Sequence, residues 1–319
     1  MEYFLIVNPT AGSNNGQKLW PKIRNFLTNH HTAFRVFFTE YDGHAVALTM
    51  RILGQITETN HPDAAIIAVG GDGTLHETLL GCMRFYDENS NNQSRVPIGL
   101  LPIGSGNDFA RGAHIPLRWE TALETILTSR SATNIHIGRF ISHDSDSDGY
   151  FLNNFGIGLD AAVVHLANHS LLKRIKGLNR LSYLASVIQA LRTVRGFPLT
   201  LTHQNGAVEN FPRAFLVTTT NHPYFGGGIN IAPNASVLSD HLDLVIVDKP
   251  NKRQIFLFTF MLILKRHLVL NFVHHYSETN FSLKTASMRY GQIDGEELGV
   301  KSYMVTYQTQ TYPFLVGRS

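Results

Sequence analysis

The segment with the clearest chemical potential is Gly70-Gly71-Asp72-Gly73-Thr74, which follows the apolar run Ala64–Val69 and precedes a helix-like segment. Glycines allow positive φ angles and let backbone N–H groups approach a ligand closely. Thr74 is placed to cap the following helix, whose N-terminus attracts anions. A carboxylate such as Asp72 repels phosphates unless a divalent cation lies between them. The segment therefore predicts a site for a metal–nucleotide complex, with a glycine turn merely shaped by Asp72 as the alternative.

Two more loops rich in small residues and hydrogen-bond donors follow other strand-like runs. Asn8–Gly12 follows the first run and Gly104–Asp108 follows the fourth. Thr39 ends the second run and adds a hydroxyl group. Any one of these loops is more often an ordinary turn. At the carboxyl ends of parallel strands, however, all of them would meet in one cleft.

An alternation of strands and helices must position these loops. The helix-like segments Gln17–Leu27, His44–Ile56 and Leu75–Phe85 separate apolar, strand-like runs, which are Tyr3–Val7, Ala33–Phe38, Ala64–Val69 and Pro97–Leu101. This alternation predicts right-handed βαβ units and a doubly wound, mostly parallel sheet with helices on both faces.

The pattern changes from about Thr133 onward. Strand-like runs now follow one another without regular helices, at Phe151–Phe155, Leu199–His203, Ala214–Thr220, Leu242–Val247 and Ser302–Tyr307. Two helical segments interrupt them, at Leu178–Val194 and Ile255–Phe272. We therefore expect an antiparallel, β-rich second domain. The acidic segment Asp144–Gly149 is expected to be a solvated hairpin loop, because Phe155 stands where a calcium loop needs a bidentate Glu.

Composition narrows the class of protein. The chain has 319 residues, 43% hydrophobic and 16% charged, with a net charge of +3, which excludes a disordered chain and argues against a dedicated nucleic-acid binder. Its only cysteine, Cys82, has no disulfide partner, so we expect a reducing, cytoplasmic setting. The ten-residue apolar run Ile255–Leu264 is too short to span a bilayer. A buried helix is the expectation for it, with a membrane-surface element as the alternative.

Several common motifs are absent. The sequence has no Gly-Lys dipeptide, so there is no Walker motif. Ser105 lacks the glycine two residues before it that a hydrolase nucleophile elbow requires. His76-Glu77 lacks the second histidine of a zincin.

A late polar turn, Ile293-Asp294-Gly295-Glu296-Glu297, follows apolar residues. If it folds back against the nucleotide cleft, Glu296 could accept the proton of an attacking hydroxyl group, as kinases require of their catalytic carboxylate. The alternative is a β-turn with solvated acidic side chains.

Taken in order, these motifs resemble the soluble bacterial diacylglycerol kinase family of lipid kinases, which is related to sphingosine and ceramide kinases. The resemblance covers nearly the whole chain, from Asn8 to Glu296. It is carried by Asn-Pro-Thr-Ala-Gly, Thr39 with Gly43-His44-Ala45, Gly-Gly-Asp-Gly-Thr, Gly-Ser-Gly-Asn-Asp-Phe and Asp-Gly-Glu. It implies an N-terminal α/β nucleotide domain like that of NAD kinase and phosphofructokinase, at residues 1–130. It also implies a C-terminal antiparallel β-sandwich domain for the lipid at 131–307, with 308–319 returning to the first domain.

The resemblance implies specific roles. ATP would be surrounded by Asn8, Pro9, Thr10, Ala11, Gly12, Thr39, Gly70, Gly71, Asp72, Gly73, Thr74 and Ser105. Asp72 would lie near the Mg²⁺ of ATP and take part in catalysis, and Glu296 would be the general base toward the lipid hydroxyl.

The chain also departs from the family pattern. Ser13-Asn14-Asn15 stands where many members carry basic residues, and Ile135-His136-Ile137-Gly138 replaces Val-Asp-Ile-Gly. Where members with a structural Mg²⁺ read Asp-Asp-Gly, this chain has Leu238, Ser239 and Asp240. Asp240 is therefore the one candidate ligand for a structural Mg²⁺ there.

The function expected is ATP- and Mg²⁺-dependent phosphorylation of a lipid alcohol such as diacylglycerol. Two groups of basic residues favour peripheral binding to the inner membrane surface, Lys173-Arg174-Lys176-Arg180 and Lys265-Arg266. The alternative is that they form solvated helix faces. No nucleic-acid partner is expected, and a homodimer is a possible assembly. Two alternatives stay open: a soluble-substrate kinase of the NAD kinase type, and a nucleotide-binding regulatory relative without turnover.

Overall fold

The computed structural model describes most of the chain and divides it into two compact units. The first unit consists of Met1–His136, Gly226–Gly228 and Thr311–Ser319, and the second of Ile137–Phe225 and Ile229–Gln310. The domain limits expected from the sequence, at residues 130 and 308, stay a prediction. The described residues are 1–59, 63–89, 94–144, 148–169 and 179–317.

A parallel sheet forms the centre of the first unit. Its four strands are β1 (Glu2–Val7), β2 (Phe34–Phe38), β3 (Ala64–Gly70) and β4 (Ile98–Pro102). They lie in the order β4-β3-β1-β2, and each neighbouring pair is parallel. All residues of β3 are buried, as expected for a strand covered by helices on both faces. The predicted strands of this unit are confirmed.

Five helices connect or follow these strands. They are α1 (Ala11–Asn29), α2 (His44–Glu58), α3 (Asp72–Glu88), α4 (Asp108–Gly112) and α5 (Trp119–Thr128). The helices predicted from apolar spacing are confirmed as α1, α2 and α3. The start of α1 is irregular, because Gly12, Ser13 and Asn14 have φ angles of 58°, 61° and 72°.

The second unit is built from mainly antiparallel strands. The strands that follow β4 in the chain are β5 (Thr133–Ser142), β6 (Gly149–Phe151), β7 (Asn154–Gly158), β8 (Phe197–His203), β9 (Val208–Thr220), β10 (Tyr224–Phe225), β11 (Ile229–Asn230), β12 (Leu242–Asp248), β13 (Val273–Glu278), β14 (Asn280–Thr285), β15 (Arg289–Ile293), β16 (Glu296–Lys301) and β17 (Met304–Phe314). The start of β5 and the end of β17 belong to the first unit.

The main sheet of this unit runs in the order β16-β15-β7-β9-β8-β14-β17, and β12 pairs with β9 and β13. Aromatic and aliphatic side chains of these strands, among them Phe155, Phe197 and Tyr307, form its largest buried cluster. The antiparallel, β-rich architecture predicted for this part of the chain is confirmed.

Two sequence expectations for strands and helices were wrong. Phe151–Phe155 is not one strand: β6 ends at Phe151 and β7 begins at Asn154, because the N–H groups of Leu152 and Asn153 bind the Asp294 carboxylate instead of a neighbouring strand. The helix predicted over Ile255–Phe272 is shorter, since α8 covers Lys252–Ile263 and a separate 3-10 turn follows.

The remaining helices are α6 (Leu159–Asn168) and α7 (Asn179–Thr193). The second confirms the predicted helix Leu178–Val194, whereas α6 was not anticipated. Lys173, Arg174 and Lys176, and part of the predicted loop Asp144–Gly149, lie outside the described residues.

The expectation that the apolar run at α8 is a buried helix was also wrong. No residue of α8 is buried, and Phe256 and Ile263 are 77% and 75% exposed. Only Phe258 and Leu262 pack against the neighbouring apolar cluster. Over the described part of the chain, no helix has both the length and the apolar character needed to cross a membrane.

Candidate functional site

The loops of the first unit gather where the direction of chain winding reverses. The chain leaves β1 for β2 on one side and later adds β3 and β4 on the other. Open α/β sheets bind ligands at the carboxyl ends of strands beside such a reversal. Asn8 follows β1 and Gly71 follows β3 at this point, so two of the sequence-predicted loops flank it directly.

Asn8 joins these two loops. Its Nδ2 donates a hydrogen bond to Thr74 Oγ1 (3.1 Å), and its Oδ1 accepts from the N–H (3.0 Å) and hydroxyl (2.9 Å) of Thr10. The prediction that Thr74 caps α3 was wrong: the residue preceding α3 is Gly71, and no side chain caps the helix. Since the first N–H groups of a helix lack intrahelical acceptors, the start of α3 offers N–H donors to an anion.

Backbone contacts that only glycine permits bring the third loop into this cluster. A Cβ atom on Gly104 would lie 2.4 Å from Gly71 Cα, and one on Gly12 would lie 2.1 Å from Ile103 O. The N–H groups of Ile103 and Gly104 both donate to Gly70 O (2.8 and 3.1 Å). The loops after β1, β3 and β4 therefore converge, as the sequence predicted.

Asp72 lies between the loop after β3 and the start of α4. Its carboxylate accepts hydrogen bonds from the N–H groups of Asp108 and Phe109, both at 3.1 Å. A Cβ on Gly106 would lie 3.1 Å from Asp72 Oδ2, so the neighbouring loop also passes close to this carboxylate. Asp72 thus has a structural role in joining two loops in addition to the metal role predicted for it.

Two further residues of this loop cluster were not among the sequence-predicted site residues. Within the described residues, Asn107 Oδ1 and Asp108 Oδ1 are buried side-chain oxygens with no hydrogen-bond partner. Burial raises the pKa of Asp108, whose other oxygen accepts from the Gly227 N–H at 2.7 Å. Two sequence features could have identified these residues: Asn107 and Asp108 directly follow Gly104-Ser105-Gly106, and three consecutive glycines stand at 226–228.

The loop cluster suits a cation carried by a phosphate ligand. Buried polar oxygens without partners are costly unless an ion or ligand meets them. Mg²⁺ takes oxygen ligands and is usually held by one or two carboxylates together with substrate phosphates. Asp72 and Asp108 supply such carboxylates, and Asn107 Oδ1 supplies a neutral oxygen.

The loop after β2 is fixed by a residue that sequence reasoning missed. The Glu77 carboxylate accepts from the N–H groups of Gly43 and Ala45, both at 3.0 Å, at the start of α2. Thr39 is half-buried at the end of β2, where its N–H donates to Val7 O (2.9 Å). The sequence feature that could have identified Glu77 is its position three residues after Thr74, which places both side chains on the same face of α3.

The other sequence-predicted residues of this site lie in the same loops. Pro9 and Ala11 are half-buried after β1, and Ser105 is exposed between Gly104 and Gly106. Whether they contact a nucleotide stays a prediction.

In the second unit, the late turn is a tight hairpin between β15 and β16. Asp294 and Gly295 have φ angles of 50° and 91°. The Asp294 carboxylate accepts three backbone hydrogen bonds, from Leu152 (2.8 Å), Asn153 (2.8 Å) and Asn154 (2.9 Å). Asp294 is therefore a structural anchor and not a solvated acid, whereas Glu296 is exposed.

A buried polar network lies beside this turn. Asp160 Oδ2 accepts from Asn154 Nδ2 (3.0 Å) and Gln292 Nε2 (3.1 Å), and burial raises the pKa of Asp160 to about 7. The His222 ring nitrogen Nε2 lies 2.9 Å from Asn153 Oδ1, and burial lowers the pKa of His222 to about 4. Hydrogen bonds of Asp160 and His222 therefore fix β15 and the segment 153–154 on either side of the Asp294 turn.

The structural metal site expected near Asp240 has no cluster of acidic and histidine side chains among the described residues. The Asp240 carboxylate is exposed, and Oδ1 lies 2.7 Å from His241 Nδ1. Among the described residues, Asp240 belongs to no group of three side chains that could hold an ion. A Mg²⁺ there would need further oxygens from the backbone or from uncharged side chains, and the role of Asp240 stays a prediction.

One side-chain group does have metal-like spacing. The ligand atoms of His165, His169 and Glu297 all lie within 4.8 Å of one another. Their hydrogen bonds already account for this arrangement, since His165 Nδ1 lies 2.7 Å from Glu297 Oε2 and Asn168 donates to Oε1 (3.1 Å). His169 Nδ1 bonds to His165 O (2.9 Å). These hydrogen bonds fasten α6 to β16.

Comparison with known proteins agrees with both units. Residues 2–140 match the diacylglycerol kinase catalytic domain, and residues 154–314 match the YegS C-terminal NAD kinase beta sandwich-like domain. The predicted fold class, an α/β domain followed by a β-sandwich domain, is thereby confirmed.

Named relatives agree as well. The "Putative lipid kinase YtlR" of Bacillus subtilis is 29% identical over 306 residues, which cover 94% of this chain and 95% of that protein. The diacylglycerol kinase of Staphylococcus haemolyticus is 27% identical over 247 residues, which cover 77% of this chain and 67% of that protein. A crystal structure of a "putative diacylglycerol kinase" from Bacillus anthracis superposes with a TM-score of 0.74 at 22% identity, over 99% of this chain and 97% of that one. With both of its domains matched, the chain belongs to the diacylglycerol kinase family of lipid kinases, which are phosphotransferases.

Proposed function

We propose that this protein transfers the γ-phosphate of ATP to the hydroxyl group of a membrane lipid, with diacylglycerol as the expected acceptor. The observation that carries the proposal is the convergence of three loops of small residues beside the β1–β3 reversal, with unpartnered side-chain oxygens of Asn107 and Asp108 in the segment whose N–H groups bind Asp72. This arrangement combines N–H donors for phosphates with carboxylates for a divalent cation.

In this proposal the nucleotide occupies the loop cluster of the first unit. The phosphates face the start of α3 and the loops at Asn8–Gly12 and Gly104–Asp108. Asp72 and Asp108 would hold the Mg²⁺ of the nucleotide, which would neutralise charge on the phosphates. Thr39 and Ser105 contribute hydroxyl groups, and Asn8 keeps the loops after β1 and β3 in register through its bond to Thr74.

Glu296 is the proposed general base. It accepts the proton of the lipid hydroxyl while the Asp294 anchor, with its three N–H bonds, fixes the turn that carries it. Phosphoryl transfer then depends on positioning and charge neutralisation more than on covalent chemistry by the protein. Because the acceptor lies in a membrane, we expect a cytoplasmic enzyme that binds transiently to the inner membrane surface.

The test is transfer of label from γ-labelled ATP, with Mg²⁺, to detergent-dispersed lipids. Diacylglycerol, ceramide and sphingosine are offered in parallel, with NAD as a soluble acceptor. We expect a labelled phospholipid from diacylglycerol and none with Asp72→Asn, while Asp87→Asn, an exposed acid on the same helix, stays active. Transfer to NAD alone would point to the NAD kinase type, and ATP binding without transfer to any acceptor would point to a regulatory relative.

A further inference from the structure

The outward side of α8 and of the turn after it is apolar. Phe256, Phe260, Ile263 and Val269 are 77%, 53%, 75% and 75% exposed. Leu257 and Leu264 are also exposed, at 42% and 50%. We call these six residues the α8 apolar surface. Single exposed apolar side chains are normal, whereas a contiguous group of this kind marks an interaction site.

The α8 apolar surface is held in place by well-formed helix ends. At the start of α8, Asn251 and Gln254 form a capping box. At its end, the Arg266 N–H donates to Met261 O (2.8 Å) and the Lys265 N–H donates to Leu262 O (3.0 Å), which is the Schellman pattern. Because Phe258 and Leu262 pack inward, residues 256, 260 and 263 must face outward.

Basic residues border this surface at both ends. Lys252 and Arg253 lie at the start of α8, and Lys265 and Arg266 follow its end; all four are exposed. The sequence contains no Asp or Glu from 249 to 277. An apolar stripe with cations at both ends and no acid in its own stretch of sequence is complementary to an anionic lipid surface.

We propose that α8 lies flat in the interface of an anionic bilayer, with its apolar surface in the acyl boundary and its four cations among the lipid phosphates. At 12 residues the helix is about 18 Å long, too short to cross a hydrocarbon core of about 30 Å. The choice of a lipid surface over a protein partner rests on the proposed function as well as on the charges.

A second copy of the chain fits this surface less well. In a two-fold contact through α8, each helix would meet the same element of its partner. The four cations of one copy would then lie against the four of the other, without acids to offset them.

Lys265 allows the charge of this surface to be changed without disturbing the end of α8. Its φ of 56° belongs to the left-handed region that glycine adopts without strain. Lys265→Gly therefore relieves backbone strain and removes one charge at the same time. We expect this variant to be at least as stable as wild type and to bind anionic vesicles about five-fold more weakly.

The main experiment is sedimentation with vesicles of phosphatidylcholine containing 30% phosphatidylglycerol, without ATP. We expect the double variant Phe256→Ser with Phe260→Ser to bind on the order of 100-fold more weakly than wild type. The control is Val208→Ser with Met288→Ser, which removes two exposed apolar side chains of the same unit and should bind as wild type. Wild-type binding should also weaken when phosphatidylglycerol is omitted. Equal binding by wild type and the α8 double variant would overturn the proposal.

A site-specific reporter gives a second measurement. Cys82 is fully buried and burial raises the pKa of its thiol to about 12, so a cysteine placed by Phe260→Cys can be labelled alone with a polarity-sensitive dye. We expect a blue shift of the dye emission with anionic vesicles. A shift that depends only on protein concentration, without vesicles, would show a self-contact and overturn the proposal.

The kinase assay with detergent-dispersed, short-chain diacylglycerol separates this inference from the proposed function. The α8 double variant should be as active as wild type on that substrate and less active on diacylglycerol in vesicles. Failure of wild type on dispersed substrate would refute the kinase proposal while leaving the vesicle-binding result to decide the role of α8.

Discussion

At the scale of single residues, the loop cluster depends on glycines at positions of close backbone approach. Gly71 and Gly104 face each other across the loops after β3 and β4, and the N–H of Gly104 bonds to Gly70 O at 3.1 Å. Such contacts bring backbone donors near a ligand and leave no room for a Cβ atom. The cluster is therefore specified by the absence of side chains as much as by Asn8 and Asp72.

Gly104→Ala tests this contact. The new Cβ would lie 2.4 Å from Gly71 Cα, so one loop must move. We expect a loss of about 1–3 kcal/mol in unfolding free energy and weaker ATP binding, measured by chemical denaturation and calorimetric titration. Gly54→Ala is the control, because it lies within α2 with open space around it and should be neutral or stabilising. Equal behaviour of the two variants would contradict the close-contact account.

Glu296→Gln tests the proposed general base. The substitution keeps the size of an exposed side chain and removes its ability to accept a proton. We expect turnover to fall by at least 100-fold while ATP affinity and melting temperature stay near the wild-type values, since general bases contribute about 10²–10⁴-fold. The measurements are initial rates and a nucleotide titration. A fully active variant would remove Glu296 from the catalytic role.

At the scale of elements, buried polar groups fasten α6 and β15 to β7. Asp160 at the start of α6 binds Asn154 of β7 and Gln292 of β15. Asp160 Oδ1 lies so close to β7 that a Cβ on Gly156 would be 2.0 Å from it. This network holds the β15–β16 hairpin, whose turn carries Glu296, against strands that the apolar core already fixes.

The raised pKa of Asp160 makes stability depend on pH. Burial raises the pKa of Asp160 from the ordinary value of 3.8 to about 7, so the folded state holds an extra proton between these two pH values. Stability of the wild type should therefore fall as pH rises from about 4 to 7. Asp160→Asn removes this loss, and we expect it to be more stable than wild type at pH 8, by up to about 4 kcal/mol.

Thermal melts between pH 4.5 and 8 measure this effect. The advantage of Asp160→Asn should shrink toward pH 4.5. Asp87→Asn, at an exposed acid, serves as the control and should show no such trend. A constant difference between Asp160→Asn and wild type across the range would show that Asp160 is ionised in the folded chain throughout.

At the scale of the whole molecule, the first unit is assembled from distant parts of the sequence. Phe314 pairs in parallel with Ile98 of β4, and the Leu315 N–H donates to Ile98 O (2.8 Å). Tyr312 and Phe314 are fully buried. The last strand thus completes the edge of the sheet beside β4, which residues 1–136 alone would leave unpaired.

Truncation after Gln310 tests this dependence. It removes the buried side chains of Tyr312, Phe314 and Leu315, each contributing about 1.5–3 kcal/mol. We expect the truncated chain to lose cooperative unfolding of the first unit and with it ATP binding, as followed by circular dichroism and nucleotide titration. Truncation after Gly317 should leave both unchanged. ATP binding by the shorter chain would contradict the assignment of residues 311–317 to the first unit.

The sequence alone determined the βαβ order, the position of each loop after its strand and the family. These are local properties: apolar periodicity sets strands and helices, and glycines beside Asp72 and Asn107 set the loops. Only the tertiary structure decided which long-range partners those residues take. In the folded chain, the Asp72 carboxylate accepts hydrogen bonds from N–H groups at the start of α4. The Asp294 carboxylate accepts hydrogen bonds from N–H groups between β6 and β7. The apolar side chains of α8 face outward. A run of apolar residues has the same sequence pattern in a buried helix and in an exposed one. The sequence pattern therefore does not distinguish them, because burial depends on neighbours that are distant in the chain.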